Sequence, residues 1–204
     1  MRISNKKSRI QFRETYDSLI TEEEKSAYIK NLGEDFNTIL KEGYLYQDNR
    51  DGQLYDCMFI GNTRWLAQNF QFKTKELSSN NRYNWEGFVN ACPEGWRLPS
   101  NEDYRKLLVK AAAMAEVEVW EEKYAYKVGK LLKRSNELDF NSGFPFYGLH
   151  HSVVEFWTKE KEWFYLRAGQ NETYIGFSNY KIDLATKECF VRYVQDVVVD
   201  KEQY

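Results

Sequence analysis

Cys92-Pro93-Glu94-Gly95-Trp96-Arg97-Leu98-Pro99-Ser100-Asn101-Glu102-Asp103-Tyr104 is the stretch from which the rest of the chain is best approached. Its second half has the form of a helix start. Ser100 can cap the first turn with its hydroxyl, and the acidic residues that follow suit the positive end of the helix dipole. Tyr104, Leu107, Leu108, Ala111 and Ala115 then recur at helical spacing on one face. A second run carries Val117, Trp120, Tyr124, Val128 and Leu131 and closes on the basic Lys130–Arg134. Two amphipathic helices are predicted over 99–135, with their stripes turned to the core.

Strand-like sequence lies on both sides. Upstream, Tyr44 and Tyr46, then Leu54–Ile60, then Arg64–Ala67 are β-prone, with Asp51-Gly52 and Gly61-Asn62 as the turns between them. Downstream, Glu155–Thr158, Trp163–Arg167, Thr173–Phe177 and Cys189–Val194 read as short strands after the loop-like Phe140–Gly148. Helices grouped in the middle with strands on either side define an α+β fold in which the outer strands pair. Residues 1–44 read as a charged helical extension. Thr21 and Glu24 have capping-box spacing, Tyr28, Leu32, Phe36 and Leu40 make a stripe at four-residue steps, and Gly43 is a stop. Either the main domain or a second copy of the chain, joined through residues 20–42, would cover that stripe.

Composition narrows the function. The chain has 204 residues, 29 Lys+Arg against 31 Asp+Glu, and a formal charge of −2. That balance argues against a nucleic-acid binder, and no apolar run is long enough for a membrane span. The first residues are basic without the apolar core of a secretory signal, so a cytoplasmic location is favoured. With 6 Trp, 15 Tyr and 13 Phe there is ample apolar area for a core. The three cysteines, Cys57, Cys92 and Cys189, form no CxxC pair and read as free thiols.

Several separated motifs resemble one family. Asp51-Gly52-Gln53-Leu54-Tyr55 with Ile60-Gly61-Asn62-Thr63-Arg64-Trp65-Leu66-Ala67-Gln68-Asn69-Phe70 is similar to the opening of the Fibrobacter succinogenes major paralogous domain. Arg82-Tyr83-Asn84-Trp85 followed by Cys92–Ser100 resembles its YNW and CPxGWxLPS segments. Asn141-Ser142-Gly143-Phe144, Phe156-Trp157-Thr158 and Phe190–Asp196 are similar to later elements in the same order. The resemblance covers about residues 50 to 196. It implies a C-type-lectin-like fold with two central helices and a twisted antiparallel sheet, here residues 45–198, between the extension at 1–44 and a tail at 199–204. In such a fold Gly95 makes a tight turn, Trp96 and Leu98 are buried beside the first helix, and Trp65 and Trp157 anchor the core. The sequence departs from the family in lacking a lipoprotein leader, in its short segment between Phe70 and Arg82, and in having Tyr193 where relatives carry a second cysteine. If that cysteine pairs with the one at position 92 in relatives, the crosslink is missing here, as a reducing compartment would require.

Candidate chemistry follows from both readings. Lectin-like relatives include formylglycine-generating enzymes, which implies a thiol role for Cys189, but a reactive thiol needs a depressed pKa and no base or metal cluster accompanies it. His150-His151 with Glu155 has the makings of a general base and its orienter, in a turn where polar residues are also structural. The triplets of calcium-dependent lectins are absent. Asn136, Asp139 and Asn141 are a thin ligand set for calcium, and no cofactor is expected. The expected function is non-catalytic recognition of a protein or a glycan by the late aromatic region, through Tyr147, His150, His151, Trp163, Tyr165, Arg167, Tyr174 and Tyr180. A thiol enzyme and a structural component of a surface or phage-like assembly are the alternatives.

Overall fold

The structure, a computed structural model, describes residues 6–74, 81–117, 125–134, 152–168, 173–178, 180–181 and 183–197. The chain divides into two compact units, Met1–Gln47 and Asp48–Tyr204.

The first unit holds α1 (Lys6–Ser18), α2 (Glu22–Leu32), α3 (Glu34–Lys41) and the short strand β1 (Leu45–Gln47). Thr21 and Glu24 form the expected capping box: Thr21 Oγ1 accepts from the Glu24 N–H at 3.1 Å, and the Glu24 carboxylate accepts from the Thr21 N–H at 2.9 Å. The single helix predicted through the four-residue stripe is instead two. Gly33 takes φ +52°, donates its N–H to the Ile29 carbonyl and ends α2, after which Glu34 and Asp35 open α3 with their own acidic first turn. The break rotates the stripe. Phe36 and Ile39 are the buried residues of α3, Leu40 is half-buried, and no residue of α2 is buried. Phe12 of α1 gathers the unit's rings, with centroids 5.8–6.0 Å from Tyr16, Tyr28 and Phe36.

The second unit opens on a turn closed by the buried Asp48, which accepts from the Arg50 N–H, Nε and Nη2 at 2.7–3.0 Å. Strand β2 (Leu54–Ile60) and β3 (Thr63–Leu66) form a hairpin across Gly61-Asn62. Ile60 faces Thr63, and Gly61 has the positive φ that a two-residue loop with glycine in first place requires. A short helix not predicted from the sequence, α4 (Trp85–Asn90), is capped by Asn84, whose Oδ1 accepts the Gly87 N–H at 2.8 Å. Then come α5 (Asn101–Met114), α6 (Ala125–Arg134), β4 (Ser152–Trp157), β5 (Trp163–Ala168), β6 (Thr173–Ser178) and β7 (Val194–Asp196). Of the second predicted run, Val128 and Leu131 lie in α6. Val117 lies beyond the end of α5, while Trp120 and Tyr124 fall outside the described residues, as does the tail.

The architecture is α+β with antiparallel strand pairing, as expected. β7 pairs with β3, Trp65 facing Val194, so the last strand lies beside the first hairpin. β4, β5 and β6 make a second antiparallel sheet. One core joins them: Trp65, Tyr104, Leu108, Val128, Phe164 and Val194 belong to a single buried cluster. Within it the Tyr104 ring stacks on Phe164 at 4.6 Å and meets Trp65 edge-on at 5.2 Å. The strand predicted over Cys189–Val194 is corrected. Cys189 bridges Tyr83, Phe190 bridges Phe156 in parallel, and the Val191 and Tyr193 carbonyls accept from Phe70 and Leu66. A segment that changes partner at each step cannot form one ladder; it links the two sheets, and β7 begins only at Val194. Arg192 of this segment is wholly buried. It donates to the Leu66 carbonyl at 3.1 Å, its guanidinium lies 5.5 Å from the Phe156 ring, and burial pushes its pKa down to about 9.

The quoted stretch before α5 is held by that last strand. Gly95 sits at φ +77°, Trp96 is buried, and Leu98 is half-buried rather than buried. Arg97 exchanges both backbone hydrogen bonds with Val194, at 2.7 and 3.0 Å. Its side chain donates twice to Asp196, at 2.6 and 2.8 Å, and twice to the buried Asp103, at 2.7 and 3.1 Å. Asp103 is also the carboxylate of the α5 capping box, accepting from the Ser100 N–H and hydroxyl at 2.7 Å each. The turn after β4 docks on the same helix end: Lys159 N–H donates to the Pro99 carbonyl at 2.8 Å, and Glu160 and Glu162 accept from Asn101 at 3.0 and 2.6 Å. One helix start thus fixes the closing strand and the second sheet together.

Candidate functional site

Because side chains alternate across a strand, the second sheet has two faces that the pairing register fixes. The inner face carries Val154, Leu166 and Ile175 in one row and Phe156, Phe164 and Phe177 in the next, all against the core. The outer face carries three rows: Trp157–Trp163–Ser178, Glu155–Tyr165–Gly176 and Val153–Arg167–Tyr174.

The first outer row is closed. Trp157 is fully buried, donates its indole N–H to the Tyr83 carbonyl at 2.7 Å, and meets Trp85 and Trp163 edge-on at 5.5 and 6.4 Å. The Lys187 ammonium lies 4.7 Å from the Trp163 ring and pairs with Glu155 at 2.6 Å. The face opens from there. Tyr165 is half-buried and Arg167 exposed, while Val153 and Tyr174 at the far row are 37% and 39% exposed.

The middle row has a particular shape. A methyl group on Gly176 would come within 2.9 Å of the Tyr165 hydroxyl and 3.2–3.3 Å of its ring atoms. The tyrosine therefore lies across the neighbouring strand on a spot only glycine leaves vacant. Among the described residues no ring or cation stacks on it, and the Arg167 side chain makes no ion pair or hydrogen bond with them.

Of the eight residues expected to bind, Tyr165, Arg167 and Tyr174 share this face. Trp163 is on the same face but buried under Lys187, 6% exposed, and presents no open surface. Tyr180 follows β6 and is 78% exposed. Tyr147, His150 and His151 lie outside the described residues, as do Asn136, Asp139 and Asn141. Sequence reading missed Val153 and Gly176. The signal for Gly176 was a glycine inside a strand-like run, which marks close approach of another group.

Other chemistry has less to work with. Burial pushes the Cys57 thiol up to about 12 and the Cys92 thiol up to about 11, and raises that of Cys189, so all three are held as thiols at neutral pH. They form no disulfide. The Tyr193 ring packs against Phe70 and Phe88, and its hydroxyl donates to the Phe88 carbonyl at 2.5 Å. Glu155, paired with Lys187, is already engaged and is not a spare base. Among the described residues no group of three His, Cys, Asp or Glu is placed to hold a metal ion, and no helix is long and apolar enough to cross a membrane.

Compared with protein-family models, with curated proteins and with solved structures, the chain matches none.

Proposed function

We propose that this chain is a non-catalytic recognition module of the lectin-like kind, related to the Fibrobacter succinogenes major paralogous domain, which holds a protein or glycan partner on the outer face of β4–β6. The observation that carries the reading is the in-register placing of Tyr165, Arg167 and Tyr174 on one antiparallel, partly open face. Tyrosine and arginine contribute most to binding where such surfaces are used, and a site on strands is held more precisely than one on loops. The lectin-like assignment is supported by the motif order together with the last strand lying against the first hairpin and the loop that enters α5. The thiol-enzyme alternative is weakened by the burial of Cys189 and its raised pKa.

The test compares the native chain with the double variant R167E/Y174A in parallel pull-downs and on a glycan array. Both positions are exposed, so the melting temperature should stay within about 2 °C of the native value. Partners captured by the native chain are expected to be lost by the variant. Captured partners retained equally by both would place the binding surface elsewhere and end the proposal.

A further inference from the structure

We infer that the ligand of this face is an acidic polysaccharide strand, with a hexuronic acid ring stacked on Tyr165 and its carboxylate paired with Arg167. The inference rests on the face being a recognition surface and adds the class of ligand.

Three observations on the sheet lead there. First, Tyr165 is laid flat. Its ring and hydroxyl lie over Gly176, within 2.9–3.3 Å of where a methyl group would stand, which turns the opposite ring face outward. A flat π-face with a hydroxyl at its edge is complementary to a pyranose, which offers a patch of C–H bonds on one side and hydroxyls around its rim. A protein partner would more often be met by a ring that stands up and inserts into a pocket.

Second, the charge is one-sided. Glu155, the acidic residue of the middle row, is neutralised by Lys187 at 2.6 Å. Arg167 has no acidic partner among the described residues, so the described side chains of these rows carry a net positive charge. A guanidinium that is planar and unpaired is suited to a carboxylate held in two parallel hydrogen bonds.

Third, the spacing fits. Tyr165 and Arg167 are two positions apart on the same face of β5, about 7 Å along the strand. That is the scale on which a carboxylate projecting from one edge of a sugar ring would reach a cation while the ring stays over the phenol. Tyr174, opposite Arg167 on β6, and Val153, opposite it on β4, widen the floor for the next sugar residue.

The experiment is isothermal titration of the full chain with a galacturonic acid hexamer, its fully methyl-esterified form and a neutral glucose hexamer. The acidic hexamer is expected to bind with Kd below about 1 mM, and the other two at least about tenfold more weakly. R167Q should weaken the acidic hexamer about tenfold and leave the ester unchanged, since the ester has already lost the charge that Arg167 reads. Y165L should weaken both charged and esterified forms, while Y165F, which keeps the ring, should retain most of the affinity. G176V, which would lift the phenol off the sheet, serves as a second variant if Y165L fails to fold.

Absence of binding by the acidic hexamer up to about 5 mM, or binding indifferent to R167Q and Y165L, overturns the inference. If the hexamer fails while R167E/Y174A still abolishes capture of a protein partner, only the ligand class is wrong and the recognition face stands.

Discussion

R97A is expected to lower the stability of the chain by about 2–3 kcal/mol, the larger part of it through Asp103. Arg97 joins three pieces: its own loop, the start of α5 through Asp103, and the end of β7 through Asp196. The two carboxylates are not equivalent. The Asp196 side chain is 68% exposed, so its pair is screened by solvent and D196N should cost no more than about 1 kcal/mol. The Asp103 side chain is 5% exposed, and removing Arg97 leaves a buried carboxylate with only Ser100 to satisfy it.

The same network sets a pH dependence. Burial alone would push the Asp103 carboxyl up, but the Arg97 guanidinium and the Ser100 N–H and hydroxyl outweigh it and hold it below the usual carboxylate range. A folded-state pKa below the unfolded value means that the contribution is whole at neutral pH. It is then lost as pH falls from about 4 through the folded pKa. Urea unfolding at pH 7 and pH 3 should show R97A both weaker at pH 7 and less sensitive to the change. A loss below about 1 kcal/mol, or a pH dependence equal to the native one, would show that the loop and the closing strand are held by something else.

W157A is expected to have the largest effect, about 3–5 kcal/mol, because a fully buried indole is removed from between Trp85 and Trp163. Part of the loss is polar. The Tyr83 carbonyl accepts from Trp157 at 2.7 Å and also from the Cys189 N–H at 3.0 Å, so one of its two bonds survives. W157F should therefore recover most of the stability and fall short of native by about 1–2 kcal/mol. Denaturation midpoints with an unchanged m-value check this. A W157A loss under about 1.5 kcal/mol would mean that the closed end of the outer face does not depend on that ring.

How much of this was legible in the sequence depended on how local the signal was. The start of α5 was readable because the Ser100 cap and the acidic first turn all lie within four residues. The β2–β3 hairpin was readable for the same reason, through Gly61-Asn62. Gly33 was passed over because the four-residue apolar steps on either side stay in phase across it, although Glu34 and Asp35 already form a second acidic first turn. The segment Cys189–Tyr193 has strand-like composition, but its partners are set by tertiary neighbours at Tyr83, Phe156, Phe70 and Leu66, which no periodicity encodes.

The candidate site divided along the same line. Alternation in β5 placed Tyr165 and Arg167 on one face, but it also gave that face to Trp163, which is covered by Trp157 and the distant Lys187. The fit of Tyr165 onto Gly176 is a cross-strand contact, visible once the register of β5 and β6 is known.

Hydroxyl-radical footprinting of the tyrosines in the native chain tests the open outer face most directly. Tyr174 and Tyr180 are expected to react fast, Tyr165 at an intermediate rate, and the buried Tyr55, Tyr83, Tyr104 and Tyr193 slowly. If Tyr165 and Tyr174 prove as unreactive as those four, the outer face of the second sheet is covered and cannot be where a partner binds.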